Sequence, residues 1–125
     1  MGLDTYASRS PDDAVLTAED SAVFEAAGIE LCGGIYSDGS VSIRGKVYDD
    51  LISEVAEISL YQEWIPPDDV ATISRALDEY EAEALVDVWD TADPFRGPHS
   101  SVEAGDLQVF FRLCVERGLG LIGWW

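Results

Sequence analysis

The chain has 125 residues, 47% of them apolar and 10% aromatic, and carries a formal charge of −18 from 25 acidic and seven basic residues. Apolar content this high excludes a disordered composition, and the length fits one folded domain spanning residues 1–125. The charge excludes direct nucleic-acid binding, which needs clustered Arg and Lys, and docking on an anionic membrane.

Residues 2–7 are predicted to form a first strand, followed by the turn-rich segment SRSPDDAVL at 8–16. Thr17 is a suitable N-cap for a helix carrying Glu19 and Asp20 in its first turn, where they suit the positive dipole end, and Gly28 is placed to end it. Residues 29–32, IELC, read as a strand. Residues 35–37 and 41–44 read as a hairpin across Ser37-Asp38-Gly39-Ser40.

Val47, Tyr48, Leu51, Ile52 and Val55 fall at helical spacing and predict a helix over 46–57. The segment 58–65, ISLYQEWI, fits a strand or a helix tail. Pro66-Pro67-Asp68 opens a helix over 69–82 with the stripe Val70, Ile73, Leu77, Tyr80 and Ala84. For residues 84–89, helix and strand both stay open. Residues 90–100 read as a loop. Ser101 caps a last helix over 102–117, with Leu107, Phe110, Phe111 and Cys114 on its buried face, and the tail LGLIGWW completes a sheet. The expected class is α+β: three or four helices packed on a small, mostly antiparallel sheet.

The start MGLDTYASRS has no apolar core of a secretory signal, and no apolar run approaches the ~18 residues of a membrane span. The expected location is cytoplasmic. Cys32 and Cys114, each with apolar neighbours, read as buried free thiols. Two distant cysteines and one histidine do not make a zinc site. No metal or other cofactor is expected.

Met1-Gly2-Leu3-Asp4 with Tyr6 resembles the start of a loose group of small uncharacterised bacterial and phage proteins. Phe110-Phe111, Cys114–Leu119 and Gly123-Trp124 resemble the C-terminal part of some such proteins from GC-rich bacteria. The shared segments contain no chemical motif. The resemblance implies no activity and carries over no site residue.

The candidate functional residues are few. His99 is the single histidine, in the loop Gly97-Pro98-His99-Ser100-Ser101. It is a candidate base, although an exposed loop histidine without a catalytic role is the simpler reading. Glu63 is a candidate acid or base if buried among Tyr61, Trp64, Trp89 and Phe95, because such burial raises a carboxyl pKa. Arg44 and Lys46 precede a helix N-terminus and form a candidate anion site, without a phosphate-binding glycine cradle. Trp64, Trp124 and Trp125 are interaction candidates, and the apolar residues before the terminal pair favour its burial.

The favoured reading is a non-catalytic domain that binds a basic protein through its acidic surface. The alternatives are a small hydrolase or transferase with an anion at Arg44 and Lys46, and a high-salt surface without a specific partner.

Overall fold

A computed structural model describes residues 2–12, 15–32 and 41–125. The elements run β1 (Asp4–Ser8), α1 (Ala18–Ala27), β2 (Ser42–Ile43), α2 (Gly45–Ala56), β3 (Trp64–Ile65), α3 (Pro67–Asp78), α4 (Ala82–Ala92), α5 (Ser101–Glu116) and β4 (Gly120–Trp124). The fold is α+β, with five helices among the described residues and a sheet of order β2-β1-β4-β3, antiparallel throughout.

The two ends of the chain build the middle of that sheet. Asp4 pairs with Trp124 and Ser8 with Gly120, so β1 and β4 run side by side over their full length. In β1, Thr5 and Ala7 are buried with Leu3 just before the strand, whereas Asp4 and Tyr6 are half-buried on the other side. That alternation is the period-2 pattern of a strand with one face on a core. In β4, a Cβ on Gly120 would fall 2.4 Å from Trp64 Cη2 and 2.6 Å from the Ile65 carbonyl oxygen. Glycine is needed there because the indole of Trp64 lies across the strand.

Helix α1 starts at a complete capping box. Thr17 Oγ1 accepts from the Asp20 amide at 3.1 Å, and Asp20 Oδ2 accepts from the Thr17 amide at 3.0 Å. Gly28 ends the helix in the left-handed region at φ 63°. The Asp20 side chain is fully buried and does more than cap. Arg9 grips it with two bonds of 2.6 Å, and Arg117 Nε adds one at 2.8 Å. One carboxylate thus ties the end of β1, the start of α1 and the end of α5.

The helical layer centres on α5, which packs against α1, α3 and α4, while α2 packs on α3, α4 and β1. Leu107, Phe110, Phe111 and Cys114 form the buried face of α5, as its spacing predicts. The Phe110 ring centre lies 5.6 Å from that of Phe24, tilted, and 5.4 Å from that of Phe111, edge to face. Burial pushes the Cys114 thiol well above its ordinary pKa, which keeps it protonated and unreactive.

Several expected boundaries move. Helix α3 stops at Asp78 instead of reaching 82, because Gln108 of α5 donates its side-chain amide to the Leu77 and Tyr80 carbonyls at 2.8 Å each. Those two bonds satisfy orphan carbonyls at the helix end. The chain turns there, and residues 84–89 lie in α4, with Leu85 and Trp89 buried one turn apart. This is the helix that the count of three or four omits. Ala84 is exposed and leaves the expected stripe.

Residues 29–32 form no strand. Ile29 and Leu31 are buried, but the Glu30 amide donates to Asp106 Oδ2 and the Cys32 amide to Tyr48 Oη. Side chains take the backbone bonds that a neighbouring strand would. Cys32 is exposed and Cys114 buried, and both are free thiols. The first arm of the expected hairpin, 35–37, lies outside the described residues, while Ser42–Ile43 pairs with β1. In the 58–65 segment only Trp64–Ile65 is strand. The rest is held by Asp49 Oδ1, which accepts from the Leu60 amide at 2.7 Å and from Ser59 Oγ at 3.2 Å. Ser100, not Ser101, caps α5. No helix among the described residues is long and apolar enough to cross a membrane.

Removing the Asp20 charge leaves two arginines around a buried neutral group. Asp20→Asn is expected to cost about 3 kcal/mol in urea unfolding. The Arg9 hydrogen bonds, foremost, hold the Asp20 carboxyl far below its ordinary value of 3.8. Its stabilising effect is therefore complete above pH ~4 and is lost as pH falls towards the folded-state pKa, because the unfolded chain takes up the proton first. Asp20→Asn will flatten the stability profile below pH ~4. An unchanged acid slope would show that Asp20 does not govern it.

Candidate functional site

His99 sits where the α4–α5 loop folds back on the end of α4. Its side chain is only 4% exposed, which corrects the expectation of an exposed loop histidine. The ring stacks on Trp89 with centroids 4.0 Å apart and planes 12° apart. Asp90 Oδ1 accepts from His99 Nδ1–H at 2.6 Å and from the His99 amide at 2.8 Å. These two bonds, the backbone one first, hold the Asp90 carboxyl below its ordinary range.

The other ring nitrogen, Nε2, is buried without a hydrogen-bond partner, and the nearest carboxylate oxygen, Asp93 Oδ2, is 3.8 Å away. Asp93 is itself buried and accepts from Arg96 Nη1 at 2.9 Å. A base must reach its proton within hydrogen-bond distance. Here the nitrogen that would do so is sealed from solvent. The group holds the loop against α4: Trp89 forms its floor, Asp90 fixes the imidazole, and Asp93 anchors Arg96.

The segment with Arg44 and Lys46 is held against the first strand. Arg44 Nη1 pairs with Asp4 Oδ1 at 3.2 Å, and the Lys46 amide donates to the Leu3 carbonyl. Between them, a Cβ on Gly45 would fall 2.2 Å from Thr5 Oγ1, so the N-terminus of α2 is pressed against β1. The expected aromatic groove also divides. Trp89 belongs to the core, 5.6 Å from Tyr48, whose hydroxyl donates to Glu103 at 2.6 Å and whose pKa is raised chiefly by burial. Glu63 is exposed rather than buried among rings.

Glu63 comes together with the terminal tryptophans. Glu63, Gly123, Trp124 and Trp125 line an open cleft of about 290 Å³. Trp124 is 71% exposed and Trp125 48%, which corrects the expected burial of the tail. Trp125 meets Tyr61 edge to face at 5.7 Å, and Tyr61 is itself exposed. Trp64, one residue beyond Glu63, is half-buried over Gly120 and faces the sheet rather than this cleft.

The strand register explains the grouping. Trp64 pairs with Ile122, and the Gly123 amide donates to the Glu63 carbonyl, so Glu63 lies opposite Gly123 at the open end of the sheet. Phe95, beside Arg96, is 96% exposed.

Sequence reasoning missed Asp90 and Asp93. The available signal was the three charges Asp90, Asp93 and Arg96 close before the single histidine. No set of three or more His, Cys, Asp or Glu side chains that could hold a metal occurs among the described residues. No family model, curated protein or solved structure matches this chain.

His99→Ala removes a stacked, nearly buried ring and is expected to destabilise the protein by about 2 kcal/mol in urea unfolding. Glu63→Gln, on the exposed rim, should stay within about 0.5 kcal/mol of the parent. Long-range proton–nitrogen spectra should place a slowly exchanging proton on His99 Nδ1. A fast-exchanging ring proton with no loss of stability in His99→Ala would overturn this buttressing role.

Proposed function

We propose that this protein is a non-catalytic domain that binds a basic protein partner. The observation that carries the reading is a pair of exposed tryptophans set in a surface of unneutralised carboxylates. Two adjacent indoles left in water forgo roughly 1 kcal/mol or more apiece relative to burial, and exposed Trp is a favoured anchor at protein interfaces.

The charge pattern supports the same reading. Five of the six arginines form ion pairs within the chain, with Asp4, Asp20, Asp78 and Asp93 as principal partners. Arg75 instead donates to Thr72 Oγ1. Among the described residues, Asp12, Glu25, Glu54, Glu57, Glu63, Asp87 and Glu116 stand on the exposed surface without an ion pair. Such a field speeds encounter with a cationic partner and repels nucleic acid. A cytoplasmic setting is consistent with free Cys32 and Cys114. A surface adapted only to high salt accounts for the carboxylates but gives no reason for Trp124 and Trp125 to be exposed.

The test is a fluorescence titration with an arginine-rich dodecapeptide and an acidic peptide of the same length. The basic peptide should bind, and its affinity should fall at least tenfold between about 0.05 and 0.5 M KCl as the charges are screened. The acidic peptide should not bind. Equal affinity for both peptides, or none for either, would refute the reading.

A further inference from the structure

The cleft at the open end of the sheet has the chemistry of a receptor for one particular side chain. Glu63 offers a carboxylate that makes no ion pair among the described residues, and the exposed Trp124 and Trp125 line the same cleft. Gly123 lies opposite Glu63, and a Cβ there would meet the Gln62 and Leu60 carbonyl oxygens, so glycine lets this segment pack close to the strand. Tyr61 braces Trp125 from the side at 5.7 Å. No described ion pair reaches Glu63: Arg96 is committed to Asp93 at 2.9 Å, and Arg44 to Asp4, the strand partner of Trp124, at 3.2 Å.

We propose that this cleft takes an arginine side chain of the basic partner, its guanidinium forked onto Glu63 and laid against the indoles of Trp124 and Trp125. The inference rests on the partner-binding reading and specifies its anchor. A guanidinium is planar, offers paired N–H donors to a carboxylate, and stacks on aromatic faces. An ammonium ion provides a point charge without the fork or the flat face, so arginine should be preferred over lysine. The net charge of −18 brings cationic segments to the surface in general, and the cleft selects among them.

The experiment compares an arginine-rich peptide with a lysine-rich peptide of equal charge, against the parent protein, Glu63→Gln, Trp124→Ala/Trp125→Ala and, as a control on α1, Glu25→Gln. The arginine peptide should bind the parent about fivefold or more tightly than the lysine peptide. Glu63→Gln and the double tryptophan variant should each remove that preference, and Glu25→Gln should keep it. In proton–nitrogen spectra, two of the four indole signals, assigned through the single Trp variants, should shift on binding.

Glu63→Gln is isosteric and exposed, so its effect is readable even if the double variant is less stable. Binding of both peptides with equal strength to the parent and to Glu63→Gln would overturn the arginine receptor while leaving the acidic docking surface standing. Failure of every cationic peptide to bind would overturn both.

Discussion

A buried carboxylate holds the architecture together. Asp20 sits inside the protein without exposed surface, yet it remains ionised because Arg9 and Arg117 supply three charge-assisted hydrogen bonds and the Thr17 amide a fourth. Desolvating such a group is costly, and only a full set of partners offsets it. Those partners come from three places in the chain: the residue after β1, the cap of α1, and the residue after α5. Correct pairing of Asp20 therefore requires that the first strand, the first helix and the last helix are already in place. The central strand pair imposes the same demand, because β1 and β4 come from opposite ends of the sequence.

That constraint shapes the surface. The chain has seven cationic side chains, and the fold engages most of its arginines internally. Arg9 and Arg117 neutralise Asp20, Arg96 neutralises Asp93, and Arg44 and Arg112 meet Asp4 and Asp78 at the surface. The buried pairs matter most to the fold, since exposed pairs contribute at most about 1 kcal/mol. With most arginines paired and only seven cations against 25 acidic residues, carboxylates dominate the solvent side. The strong negative field follows from composition and from where the few positive charges are held.

The aromatic residues divide in a parallel way. Trp89 and Tyr48 are enclosed, and the Trp89 ring supports His99, which locks the loop between α4 and α5. Trp124, the last residue of β4, and Trp125 after it follow the last buried residues of that strand and are exposed. The core is complete without them. Their exposure beside Glu63 and Tyr61 is the feature of the molecule least explained by folding, and the proposed binding role rests on it.

Much of the fold was legible in the residues. Thr17 and Gly28 marked α1 because capping and left-handed backbone are local chemistry. The apolar spacing of α2 and α5, the Pro66-Pro67 start of α3 and the terminal strand followed from periodicity and proline geometry. Other features depended on distant partners. Gln108 ends α3 from across the helix interface, and Tyr48 and Asp106 take the amides that would have made 29–32 a strand. His99 was visible as the single histidine, but its enclosure required Trp89 and Asp90 to meet it. The candidate cleft was least legible: Glu63 and Trp124 are neighbours only because β3 pairs with β4. The sequence by itself determined the negative charge, the class of fold and most helix positions, since these rest on composition and short-range periodicity. The tertiary structure decided which charges are neutralised, which tryptophans meet water and which carboxylate they flank, because each depends on strand register and long-range packing.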